Sequence, residues 1–144
     1  MKRLLRFLPL FLAIPLMTGM GTISSTEVAR TIPRPEQSFT AVLLDQMDVV
    51  TECTDISVEG DTFFDGKRGK GFYRIPFENI DRVSFFMNNA ILTGRFTLLE
   101  GEELIELVLD RDRRVFGTTR WGTYQIRLGD LKTIKIIDPA RKNP

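Results

Sequence analysis

Hydrophobic and polar residues alternate with a period of two in two stretches of the chain, residues 72–77 and residues 123–128. Every second side chain in them is aromatic or aliphatic, which predicts strands with one buried face. Pro76 has no amide hydrogen, so it is expected at a sheet edge or at the end of its strand.

Each stretch is followed by three residues, 78–80 and 129–131, that are too few for a helix. They predict a tight turn or one 3₁₀ turn. A last short strand is then expected at residues 82–86 and 133–137.

Earlier apolar runs predict further strands. Residues 92–99 and 104–109 read as a hairpin around Glu100 and Gly101. Residues 104–109 are almost continuously apolar, which predicts cover on both faces. Residues 39–50 fit either a strand or a helical stripe, and the neighbouring β-branched residues favour the strand.

Residues 66–85 align with residues 117–136 without a gap, at an offset of 51. Apolar positions match throughout, and the identical pairs are Gly66 with Gly117, Gly71 with Gly122, Tyr73 with Tyr124 and Ile75 with Ile126. The alignment predicts an internal duplication, with one β repeat at 39–88 and the other at 89–137.

The predicted fold is therefore all-β, with about eight to ten short antiparallel strands in two tandem units of about 50 residues each. The units would form either small barrel-like folds, similar to SH3 or Sm barrels, or one sandwich. The pattern leaves both arrangements open.

The N-terminal residues are expected to be a targeting segment. Lys2, Arg3 and Arg6 precede a wholly apolar run at residues 7–17, and small and polar residues follow. This order is typical of a secretory signal peptide, predicted here at residues 1–29. The run is shorter than a membrane span needs, and an uncleaved N-terminal anchor is the alternative. The protein is thus expected to be periplasmic or extracellular.

The segments beside the predicted fold are polar and contain prolines. Residues 30–38 are interpreted as a linker and residues 138–144 as a flexible tail.

Composition and charge limit the classes of partner that we expect. The chain is 42% hydrophobic and 27% charged, with 20 basic and 19 acidic residues, which is globular composition. Cleavage after Ala29 would remove three basic residues and one acidic residue, leaving 17 and 18 and a net charge of −1. Such a chain has no overall field to attract nucleic acid, so no nucleic-acid partner is predicted.

The chain contains no histidine and a single cysteine. Histidine-based catalytic sets and histidine-ligated metals are therefore excluded, and no catalytic residue, metal site or cofactor is predicted. Cys53 is interpreted as a small apolar side chain in a strand, with an intermolecular disulfide as the alternative. The charge cluster at residues 110–114 is interpreted as a solvated hairpin turn rather than a cation site.

Two predicted turns carry the candidate partner contacts. Arg120 and Trp121 occupy one, and both residue types are enriched at interaction hot spots. The alternative is a Trp121 ring folded over the edge of the core. Lys67, Arg68 and Lys70 occupy the matching turn of the first repeat, which could touch anionic lipid headgroups or an acidic glycan, or could simply be solvated.

The pattern T-x-x-W-G-x-Y-x-I-x-L-x-x-L-x-x-I, from Thr118 to Ile134, resembles segments of uncharacterised exported bacterial small β-domain proteins. The resemblance covers about twenty residues per repeat and implies a glycine-tight hairpin, a strand, a turn and a final strand. It implies no activity. A looser similarity to Sm-like barrels lacks their glycine in residues 104–109 and their RNA-binding residues.

These features together predict a non-catalytic exported β-domain that binds a protein or another envelope partner. The alternatives are a carboxylate-dependent hydrolase acting on envelope glycans and an oligomeric structural component of the envelope, joined through strand edges or Cys53.

Overall fold

The computed structural model describes residues 33–99 and 103–137. The predicted signal peptide, residues 30–32 of the predicted linker and the predicted tail lie outside these residues. Residues 33–38 of the linker contain no strand or helix.

The described part of the chain is all-β, as predicted, and its ten strands form a curled, antiparallel half-barrel. A 3₁₀ turn follows β4 at Phe77–Asn79 and another follows β9 at Leu128–Asp130. The strands are Thr40–Asp45 (β1), Val50–Val58 (β2), Phe63–Arg68 (β3), Gly71–Pro76 (β4), Ile80–Asn88 (β5), Ile91–Leu98 (β6), Leu104–Leu109 (β7), Arg114–Thr119 (β8), Gly122–Arg127 (β9) and Leu131–Ile137 (β10).

All ten strands belong to one sheet, in the order β4-β3-β7-β6-β5-β10-β1-β2-β8-β9. The β3–β4 hairpin pairs with β7 from the second half of the chain, and the β8–β9 hairpin pairs with β2 from the first half. Neither 50-residue segment therefore forms a sheet of its own.

Two short connections require the sheet to curl. Residues 59–62 join β2 to β3, and residues 110–113 join β7 to β8, although five other strands separate each pair in the sheet. Six strand spacings would cover about 29 Å in a flat sheet. Five peptide units reach at most about 18 Å. The two ends of the sheet must therefore approach each other.

The two connections meet where the ends of the sheet approach. The amide of Glu59 donates to the carbonyl of Arg114 at 2.9 Å, and the amide of Arg114 donates to the Glu59 carboxylate at 3.3 Å. The Arg113 guanidinium lies 3.6–3.8 Å from the carboxylates of Glu59, Asp61 and Asp65. Arg113 thus holds both connections together.

The core fills the concave side of the sheet. Phe64 of β3 lies at its centre, with its ring centroid 5.3 Å from those of Phe77 and Phe96 and 6.4 Å from that of Phe85. Phe39 packs edge-on against Phe77 at 5.6 Å. Side chains from both halves of the chain therefore share one core.

Matched positions of the two aligned segments lie in corresponding elements. Gly71 and Gly122 begin β4 and β9, and Tyr73 and Tyr124 lie opposite Gly66 and Gly117. The duplication itself stays a prediction.

Several local predictions can be compared with the strands. Residues 39–50 contain strand β1 and a turn, so the strand interpretation is confirmed. Pro76 ends the edge strand β4, also as predicted. The prediction that residues 104–109 are covered on both faces is wrong, because Leu104 and Val108 are exposed while Leu107 and Leu109 face the core.

Candidate functional site

The β8–β9 turn presents Trp121 to solvent, with 82% of the residue exposed. The Thr119 hydroxyl accepts from the Trp121 amide at 3.2 Å and donates to the Gly122 carbonyl at 2.9 Å. Gly122 has φ 135°, a conformation that glycine adopts readily. These backbone features fix the turn without the indole ring. The interpretation of Trp121 as a lid on the core is therefore wrong.

Arg120 lies directly against the exposed ring. Its guanidinium carbon is 4.4 Å from the Trp121 ring centroid, a cation–π distance. The pair thus forms a flat surface that combines an aromatic face with a positive charge.

The β3–β4 turn carries the three other candidate residues. Lys67, Arg68 and Lys70 are exposed, and within the described residues none of them makes an ion pair. Gly69, at the turn, has φ 61°, and a Cβ added to it would meet no atom within 4 Å. The turn therefore presents three positively charged side chains to solvent.

The two turns are separate surfaces. Seven antiparallel pairings connect β3 to β8 in the sheet, so the two strands run in opposite directions and their turns lie at opposite ends of the strands. The sequence alignment relates the turns to each other, and their matched place within each hairpin agrees with it. The structure nevertheless does not unite the five candidate residues in one site.

Residues 110–113 form a solvated turn, but the turn is not part of a hairpin, because it joins strands that are not neighbours. The Asp110 carboxylate accepts from the Asp112 amide at 3.0 Å. Among the described residues, no cluster of carboxylates or thiols fits a metal ion. The hairpin interpretation is corrected to a crossover connection.

The Asp65 carboxylate on β3 contacts a second arginine in addition to Arg113. Asp65 accepts from Nε of Arg74 at 2.9 Å and lies 3.7 Å from Arg113. Both Asp65 and Asp110 line a surface depression of about 380 Å³. Asp65 is therefore part of an ion-pair network with Arg74 and Arg113.

Cys53 is buried in β2, and the predicted role as a small apolar side chain is confirmed. Burial, with a smaller contribution from Glu52, raises the pKa of the Cys53 thiol to about 11. The thiol therefore stays protonated near neutral pH. The alternative of an intermolecular disulfide through Cys53 is wrong for the folded chain, because the sulfur cannot reach another molecule.

An exposed aromatic side chain beside the basic turn was not among the predicted contact residues. Phe72 is 63% exposed and lies opposite Lys67 in the β3–β4 pair. The signal was available in the alternation itself, because Phe72 falls in the phase of its strand that faces away from Ile75 and the core.

Comparisons with known proteins add no family to this description, since no protein family, curated protein or solved structure matches the chain. Within residues 33–99 and 103–137, no helix has the length and apolar character needed to cross a membrane.

Proposed function

We propose that this chain is an exported, non-catalytic β-domain that binds a protein partner in the cell envelope through Arg120 and Trp121. Export rests on the basic and apolar pattern of residues 1–29. Binding rests on the chemistry of the β8–β9 turn.

The exposure of Trp121 is the observation that carries the proposal. A tryptophan side chain is large and apolar, and 82% of this residue contacts solvent. The turn is fixed by Thr119 and Gly122, so the ring is not needed for its geometry. A partner that covers the ring would gain its burial at little ordering cost, because Arg120 and the backbone already orient it.

An internal duplication is part of the same proposal. In this view two β units arose from one ancestor, and their turns later diverged. The matching positions of Gly71 with Gly122 and of Tyr73 with Tyr124 support it. Because the side chains of such a turn do not pack in the core, substitutions there can create a binding surface without loss of the fold.

The binding proposal is tested by comparing two variants at equivalent places. Tagged wild-type protein, Trp121→Ala and Lys70→Ala are isolated from the native envelope, and the captured proteins are quantified by mass spectrometry. The partner with the largest difference is then purified and its Kd measured. Truncation of a hot-spot tryptophan costs about 2 kcal/mol or more, which is about 30-fold in Kd. Equal Kd values for wild type and Trp121→Ala would refute the proposal.

Export is tested by the intact mass of the protein from the native envelope. A loss of about 20–29 residues is expected, following the signal-peptide pattern. A full-length mass together with retention in the membrane fraction would instead support the N-terminal anchor.

A further inference from the structure

A row of side chains crosses five neighbouring strands on the convex face of the sheet. The register places them side by side, because each lies opposite the next in an adjacent strand: Phe86, Thr93, Val108, Lys67 and Phe72. Their immediate neighbours in the strands, such as Phe85, Gly66 and Leu107, face the core. The row therefore lies on the outer surface.

Three of the five side chains in this row are apolar and exposed to solvent. Phe72 is 63% exposed, Phe86 48% and Val108 46%. The Arg95 guanidinium lies 4.9 Å from the centroid of Phe86. Clustered apolar side chains on a surface mark a contact with a protein or a membrane.

Three of the cations next to the row are exposed and make no ion pair among the described residues. Arg95 and Arg74 are paired with Glu106 and Asp65, at 2.8 Å and 2.9 Å. Lys67, Arg68 and Lys70 make no such pair, although Lys67 lines the same depression as Asp65 and Asp110. The unpaired cations beside an exposed aromatic ring favour an anionic occupant.

The position of the basic turn selects among anionic occupants. The turn joins β3 to the edge strand β4 at one end of the sheet, where a flat bilayer surface can reach it. A bilayer offers anionic headgroups to the cations and an interfacial region to the exposed ring of Phe72.

We infer that the outer face of the β3–β4 hairpin binds the surface of a bilayer that contains anionic lipids. Lys67, Arg68 and Lys70 contact the headgroup phosphates, and Phe72 enters the interface beside them. This site is distinct from the Trp121 surface and does not depend on it.

The β8–β9 hairpin can be compared with the β3–β4 hairpin position by position. At the positions of the other hairpin that match Lys67, Arg68 and Phe72 in the sequence alignment stand Thr118, Thr119 and Thr123. The β8–β9 hairpin has the same strand pairing but carries neither a cation nor an aromatic ring at these three positions. Its own cation and exposed ring, Arg120 and Trp121, lie in the turn itself, at the positions that match Gly69 and Lys70.

The test is co-sedimentation with vesicles of phosphatidylcholine, with and without phosphatidylglycerol, using protein isolated from the native envelope. The variant Lys67→Gln/Arg68→Gln/Lys70→Gln is compared with the control Arg111→Gln/Arg114→Gln/Lys135→Gln, which loses the same charge elsewhere on the surface. All variants share one N-terminus, so its contribution cancels. Each cation near an anionic surface contributes about fivefold in partition, so the first variant should lose about a hundredfold and the control far less.

Three further measurements decide the outcome. Phe72→Ser should weaken binding to both kinds of vesicle, and added salt should weaken only the anionic component. Trp121→Ala should leave vesicle binding unchanged, which separates this inference from the proposed partner site. Thermal unfolding of each variant checks its fold, and Lys70→Glu alone serves if the triple variant unfolds.

Two results would overturn the inference. One is an equal loss of vesicle binding in the two triple variants, which would indicate a general charge effect. The other is binding to soluble polyglutamate as tight as to vesicles and insensitive to Phe72→Ser, which would indicate an acidic polymer instead of a bilayer.

Discussion

The β3–β4 and β8–β9 hairpins have the same architecture and different surfaces. Both contain two six-residue strands, both lie at an end of the sheet and both are followed by a 3₁₀ turn. One turn is basic and the other presents Trp121. Inward positions thus maintain the fold, whereas the turns are free to take different chemistry.

The tyrosines at the matching positions of the two hairpins differ in their burial. Tyr73 on β4 is exposed, whereas Tyr124 on β9 is half-buried. Burial raises the pKa of Tyr124, and a hydrogen bond with Thr51 opposes part of that shift. The next inward residues differ in the opposite sense, because Ile75 on β4 is buried and Ile126 on β9 is only half-buried.

The largest difference between the hairpins should appear in the core. Phe64 of β3 contacts three other phenylalanine rings. Val115 of β8 has the corresponding place in its hairpin, since it lies opposite Ile126 as Phe64 lies opposite Ile75, and it is a smaller buried side chain. Phe64→Ala should lower the free energy of unfolding by about 3–5 kcal/mol. Val115→Ala should cost about 1–2 kcal/mol. Urea unfolding of both variants checks this, and equal costs would contradict the central position of Phe64.

A second pair of substitutions should instead affect the hairpins equally. A Cβ on Gly66 would lie 2.7 Å from Cβ of Leu107, and one on Gly117 would lie 2.7 Å from Cβ of Cys53. Gly66→Ala and Gly117→Ala should each cost about 1–3 kcal/mol, because the added methyl overpacks the contact between strands. Denaturation midpoints measure both, and a neutral result for either would break the equivalence of the two hairpins.

Arg113 offers a test of how the two ends of the sheet are joined. Arg113→Gln would leave the carboxylates of Glu59, Asp61 and Asp65 without their shared cation. A loss of about 1 kcal/mol is expected for these partly exposed pairs, and it should shrink at high salt. Arg111→Gln, on the same turn but without an ion pair in the described residues, is the control. Identical unfolding curves for the two variants would show that the network contributes nothing.

The smallest effect on stability is expected at Trp121. Trp121→Ala should cost less than about 1 kcal/mol, because a substitution at an exposed position seldom costs more. Lys70→Ala, at the matching place of the other turn, should behave alike. A loss of about 3 kcal/mol, typical of a buried aromatic residue, would place the ring in a core and remove the proposed partner surface.

Local features of this fold could be predicted from the sequence. The alternation with a period of two, together with the glycines, predicted β4 and β9. The three residues that follow each alternating stretch predicted the 3₁₀ turns. The order of the strands could not be predicted, because nothing in the β3 sequence specifies β7 as its neighbour. For the same reason, residues 110–114 were interpreted as a hairpin turn although they connect distant strands.

The candidate surfaces could be predicted in part. A turn position correctly suggested that Trp121 contacts solvent, because turns lie at the surface. The separation of the two turns and the row formed by Phe72, Val108 and Phe86 depend on pairings between strands that are far apart in the sequence. Only the three-dimensional register reveals them.

The exchange of strands between the two halves of the chain has a consequence for the time course of folding. Residues 63–109 carry five consecutive strands, β3 to β7, whose hairpins can pair as soon as they are made. Strand β1 must wait for β10, since Thr40 pairs with Ile137 at the far end of the sequence. Such long-range pairings fold slowly, because the chain must be brought together before any contact compensates the lost entropy. The first strands to emerge during synthesis are therefore among the last to be completed, and until then the β1–β2 hairpin exposes open edges that invite aggregation.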